Sequence, residues 1–204
     1  LTLENVTFQS ETPDSTLGGG NRAPYGMLRL NNNVKLTLNS GATLKGIARN
    51  GGALFIEGGN ITVTMNDGAV ITDSISNNYA PVTMFSGGNM QFIMNGGVIE
   101  NGTGNSKDGG AVSVMAGTFT MNGGEIKGAL GTNKELGAVY VSGTNGDAKF
   151  IMNGGSITEN KCSGIYAVKN AEKYAVSLEL GTDGTITGNL ANRTDIGTGN
   201  NSFS

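Results

Sequence analysis

The residues best able to do chemistry are carboxylates: Glu57, Asp67, Asp73, Glu100, Asp108, Glu125, Glu159 and Asp183 in the central and later parts of the chain. Two such acids a few ångströms apart can cleave a glycosidic bond, one as general acid and the other as base or nucleophile. Here they fall singly, in turns or at the ends of expected strands, at shifting places. No D-x-D or D-D pair lies on an expected strand. Glu57 after one strand of the second segment and Asp108 just before another leave room for a chance pair across turns of the chain. Histidine is absent, which removes Ser–His and Cys–His nucleophile systems and the usual zinc ligands. Cys162, the single cysteine, reads as an inert small residue. No calcium-binding nonapeptide G-G-x-G-x-D occurs. The reading is therefore no catalytic residue, no metal ligand and no cofactor, with an enzyme less expected than a non-enzyme.

Binding has better candidates. One repeated position, expected to face outward, steps through Arg29, Phe55, Thr83, Ser113, Tyr140 and Ala167. Arg29, Phe55 and Tyr140 are types that stack on a sugar or anchor a protein partner. The absence of tryptophan weakens a glycan claim. Glycine-rich MNGG, the GGGNR at 18–22 and the GGN at 58–60 are not phosphate cradles, since no lysine and helix follow as a nucleotide loop requires. The net charge of −3, with 13 scattered basic residues, gives no footprint for nucleic acid. No apolar run approaches the ~18 residues that span a membrane.

The elements that must position these residues are read from a repeat. The stretch FIMNGG occurs at 92–97 and 150–155, with FTMNGG at 119–124. Its asparagine recurs as Asn39, Asn66, Asn95, Asn122 and Asn153, then Gly181, at spacings of 27, 29, 27, 31 and 28 residues. A second segment keeps the same period: GMLRL at 26, GALFI at 52, APVTM at 80, GAVSV at 110, GAVYV at 137 and GIYAV at 164. A third, shorter signal follows each motif at Leu44, Ile71, Ile99, Ile126, Ile157 and Ile186.

Each segment alternates with period two. Phe92 and Met94 share a face that is apolar in every copy, while the residue between them varies, as a half-buried strand requires. Thirty-five glycines in 204 residues, against a usual ~7%, and only 14% charged residues suit a turn-rich β chain. Nothing between the segments has the length or 3.6 period of a repeat helix. The expected fold is all-β: a right-handed, single-stranded parallel β-helix of about six to seven coils, each of 26–31 residues with three short strands, in one domain over 1–204.

GGAVSVMAGTFTMNGGEIKG (109–128) and GAVYVSG with FIMNGGSITEN (137–160) resemble the parallel β-helix repeats of the pectin-lyase-like superfamily. The likeness is closest to their glycine-rich form in bacterial cell-surface proteins. The resemblance covers nearly the whole chain and implies an exported surface protein, although the fold hosts lyases, hydrolases, adhesins and plain stalks.

Within the motif, Phe and Met are expected to stack in the core. Asn39, Asn66, Asn95, Asn122 and Asn153 are expected to form an amide ladder from coil to coil, and the glycines to turn the corner. The outward threonines Thr37, Thr64 and Thr120 are interrupted by Ile93, Ile151 and Glu179, too irregular an array to match ice. The chain opens inside an expected strand, so a piece of a longer surface protein is expected. The insertion at 10–24 is expected to fold over that end, and KNAEKYA at 169–175 to make one short helical turn. The expected function is a non-catalytic structural or adhesive module of a secreted or cell-surface bacterial protein, a rigid spacer or ligand-presenting solenoid facing carbohydrate or a host or cell-surface protein. The alternative is a polysaccharide-binding or polysaccharide-degrading β-helix with an acidic groove.

Overall fold

The computed structural model describes residues 1–9, 26–46, 51–76, 78–104, 109–131 and 137–189, and the backbone of 47–48 and 191–196. The insertion at 10–24, the GGGNR within it and Asp108 lie outside the described residues. The described chain is all-β with no helix, wound as a parallel β-solenoid. The motif strands form one side: Thr2–Leu3, Lys35–Leu38, Ile61–Met65, Met90–Met94, Gly117–Met121, Ala148–Thr158 and Val176–Thr187. The second side is built by Leu28–Asn31, Leu54–Glu57, Val82–Ser86, Val112–Val114, Gly137–Ser142, Ser163–Val168 and Ala191–Ile196. The third begins with Thr7–Gln9, Thr43–Ala48, Val70–Ser76, Val98–Glu100 and Glu125–Lys127, and is completed by the far halves of the two long strands. Those long strands carry the hydrogen bonding around the corner, so the motif and third sides join into one sheet of fourteen strands beside a second of seven.

About five turns have strands on all three sides with their inward faces buried, running from Lys35 to Val168. The six to seven coils expected from the repeat count include the ends, where the pattern persists but the packing does not. Leu180, the last inward residue of its column, is 47% exposed, whereas Leu38, Met65, Met94, Met121 and Met152 are at most 1% exposed. A solenoid turn is sealed only when another lies on each side of it.

Register is what stacks the core. Gln91–Met94 pair in parallel with Thr118–Met121, and these with Lys149–Met152. Phe92, Phe119 and Phe150 therefore lie in one column. The first two rings stack at 4.6 Å between centroids with 7° between planes, and the next contact is 5.7 Å at 35°. Such contacts add about 0.5–1.5 kcal/mol to area burial. Ile71, Ile99, Ile126 and Ile157 form the matching column on the third side, and Val82, Val112, Val139 and Ile165 that of the second. All are buried.

The segment 169–175 is a turn, not a helical turn as expected. Its hydrogen bond runs from Tyr174 N–H to the Ala171 carbonyl at 3.2 Å. The loop's end is tied elsewhere, with Ala175 N–H donating to Asp147 Oδ1 at 2.8 Å, and a seven-residue connection leaves no room to continue a helix.

Candidate functional site

The repeated motif is consumed by structure. Asn66 Nδ2 donates to Asn39 Oδ1 at 2.8 Å, Asn95 to Asn66 at 3.0 Å, Asn122 to Asn95 at 3.0 Å and Asn153 to Asn122 at 2.8 Å. The five amides thus form a continuous ladder along the outer corner. The second glycine of each motif has φ near +80° (Gly97 +81, Gly124 +83, Gly155 +85), where an L side chain is strained. Space forbids one as well. A Cβ on Gly124 would fall 2.6 Å from Gly97 O and 2.7 Å from Met94 Cε. The same methyl-under-glycine contact links Met65 to Gly97, Met121 to Gly155 and Met152 to Gly184. The methionine of each turn thus fills the place that a side chain would need on the next.

A second ladder escaped the sequence reading. Asn60 Nδ2 donates to Asn33 Oδ1 and Asn89 Nδ2 to Asn60 Oδ1, both at 3.2 Å. All three residues have positive φ, 56° or 57°. The signal was present, since each asparagine stands three residues before the first of the two paired inward motif residues, Leu36, Val63 or Phe92. A third amide pair is internal. Buried Asn160 and Asn189 bond at 2.8 Å, and Asn189 Nδ2 also reaches Ile157 O at 3.0 Å.

The column of binding candidates is not the open surface expected. Register places Arg29, Phe55, Thr83, Ser113 and Tyr140 side by side, but Phe55 is 0% and Tyr140 5% exposed. Connections fold over this outer face. Phe55 packs between Tyr79 and Phe85 at 5.4 and 5.3 Å. Asn170 Nδ2 donates to Tyr140 Oη at 2.9 Å. The column then continues through Tyr166, not Ala167. The pairing is Tyr140 with Tyr166, because Ile165 and Ala167 take the inward places beside Val139 and Val141. The two tyrosine rings stack 5.9 Å apart at 6°. Arg29 is exposed and bonds Glu57 Oε1 through Nε at 2.8 Å and through Nη2, with Asn31 Nδ2 on the same oxygen at 3.1 Å. Glu57 is thereby committed to its own neighbours. Arg29, Phe55 and Tyr140 thus share a column without forming one accessible site.

Other acids also take structural posts. One corner position has positive φ on five successive turns: Asp73, Asn101, Gly128, Glu159 and Gly188. Asp73 pairs with Lys45 at 3.1 Å. On the third side, Lys127 Nζ lies 2.6 Å from Glu125 and 4.0 Å from Glu100, while Thr72 and Thr158 hydroxyls donate to Glu100 and Glu125 at 3.4 and 3.5 Å. The hydrogen bond to Glu125 holds the Lys127 ammonium above its ordinary range, aided by the charges of Glu125, Glu100 and Glu159 and against some desolvation. Cys162 follows the small buried residues Ser76, Gly104 and Gly131 at the same place on earlier turns. Burial pushes its thiol from 9.0 up to about 11, the opposite of an activated nucleophile. No group of three or more metal-ligating side chains occurs among the described residues, and no helix among them is long and apolar enough to cross a membrane.

No protein-family model, curated protein or solved structure matches this chain.

Proposed function

We propose that this chain is a non-catalytic module of a secreted or cell-surface bacterial protein, a rigid solenoid that spaces or presents an adhesive surface. The carrying observation is where the repeated residues go. Phe and Met fill the core, Asn makes a ladder and Gly closes the corner, so repetition serves stacking and extension. The glycine-rich pectin-lyase-like resemblance supports the surface location. The test is polysaccharide depolymerisation. Polygalacturonate and neutral glucans, incubated with the full chain and calcium, are expected to yield no new reducing ends and no unsaturated products. Turnover abolished by Glu125→Gln would overturn this reading.

A second reading, a polysaccharide-active β-helix, is favoured by one observation: Glu100, Glu125 and Lys127 meet on a single face. Against it, both acids are already engaged by Lys127 and by threonine hydroxyls. The same assay decides between the two.

A further inference from the structure

The motif side differs from the other two. Connections cover the second side, and ion pairs cross the third. On the motif side, outward residues at every second position lie in three parallel columns through the register Lys35–Leu38, Thr62–Met65, Gln91–Met94, Thr118–Met121 and Lys149–Met152. The central three rungs present Thr62, Thr64, Gln91, Ile93, Thr118 and Thr120, all half-buried to exposed, with the ladder amides as the third column. No ionisable residue lies among these nine positions. Charge appears only on the outer rungs, as Glu4 beside Asn39, as Lys35 and as Lys149 paired with Glu179.

None of the four central threonine hydroxyls nor the Gln91 amide has a partner among the described residues. Each of the central ladder asparagines, Asn66, Asn95 and Asn122, spends one N–H and one oxygen lone pair on its neighbours, which leaves another N–H and another lone pair directed away from the ladder. The ladder also fixes these groups, so little rotamer freedom remains to be lost on binding. Rungs repeat every ~4.8 Å and alternate residues lie ~6.8 Å apart, so five rungs by three columns measure about 19 by 14 Å. That is near 270 Å², far below the ~800 Å² per partner of a stable protein interface. A protein partner is too broad for it. A single extended chain of small repeating units suits it, and the absence of charge selects a neutral one.

From these observations we infer that the motif side binds a neutral linear polysaccharide running along the solenoid axis, its hydroxyls bonded to the threonine and amide columns and its C–H faces against Ile93 and Ile151. A β-1,4-linked sugar advances by close to one rung, so the contacts repeat. This inference rests on the adhesive form of the proposed function.

The test is co-sedimentation of the full chain with microcrystalline cellulose and with chitin, with polygalacturonate beads as the acidic control. Retention on a neutral glycan is expected, reduced at least tenfold by Thr64→Lys with Thr120→Lys and unchanged by Thr72→Lys on the third side. Thermal melting verifies folding, and Thr62→Ala with Thr118→Ala replaces the lysine pair should that pair misfold. Retention indifferent to every motif-side variant overturns the assigned face while leaving an adhesive module intact. No retention on any neutral glycan overturns the inference and leaves only the spacer. Partition into ice that the same variants abolish, without glycan retention, also overturns it.

Discussion

At the scale of single residues, this chain is governed by positions that admit one side chain or none. Gly124 is the sharpest case. Its φ of +83° and the 2.6 Å approach of Gly97 O to its missing Cβ are backbone constraints that no rotamer relieves. Gly124→Ala is expected to cost roughly 3 kcal/mol, combining left-handed strain with overpacking, read as a lowered denaturation midpoint at unchanged slope. Gly88, where a Cβ would meet nothing within 4 Å, is the control, and equal losses at both would refute the packing argument. Cys162 supplies a pH signature. The unfolded thiol sheds its proton near 9.0 and the folded one near 11. Between those values the unfolded state binds fewer protons, so stability falls as pH rises, and this contribution is whole below pH 9. The total loss is about 2–3 kcal/mol for a shift of that size. Chemical denaturation from pH 8 to 11 is expected to show a fall that Cys162→Ala flattens.

At the scale of the strand and its corner, the asparagine ladder is a cooperative element. An interior member makes two amide bonds and an end member one. Asn122→Ala is therefore expected to lower stability by about 1–2 kcal/mol and Asn39→Ala by about half as much, at a net ~0.5–1.5 kcal/mol per hydrogen bond. No change in melting at Asn122 would show that these exposed bonds merely replace bonds to water. Strands and parity were legible because period-two burial at a fixed 26–31-residue repeat leaves one consistent face inward. The outward column was misread because alternation tells which residues leave the core but not what covers them. Phe55 needs Tyr79, from a connection whose sequence carries no period, and Phe85, the extra residue where the register shifts within Val82–Ser86. Tyr166 was displaced by one place because GIYAV and GAVYV share an initial glycine, whereas the core aligns Ile165 with Val139. The second ladder was missed because its asparagines sit before the strand in runs of mixed polar residues. Of the motif side the sequence showed the outward Thr37, Thr64 and Thr120 with Ile93 and Ile151 between them, read only as too irregular for ice; register adds the neighbouring columns and shows that the charges fall on the rim.

At the scale of the whole molecule, the solenoid is a stack in which each turn contacts only its neighbours, so stability is local and graded. Hydrogen exchange is expected to be slowest in Ile61–Met65, Met90–Met94 and Gly117–Met121, and faster in Val176–Thr187, where Leu180 and its neighbours are incompletely covered. Uniform protection from end to end would instead indicate a single cooperative unit. The methyl-under-glycine contact gives this stack an arrow. Met65, Met94, Met121 and Met152 each reach forward to the glycine of the following turn. A finished turn therefore offers a shaped seat on its C-terminal side, which the next corner must fit. Winding that begins at the N-terminal end would present these seats one after another in the order of synthesis. The arrow stops where Leu180, lacking methionine's terminal methyl, takes the place of Met152 one turn on. The interlock is thus a zipper with a direction.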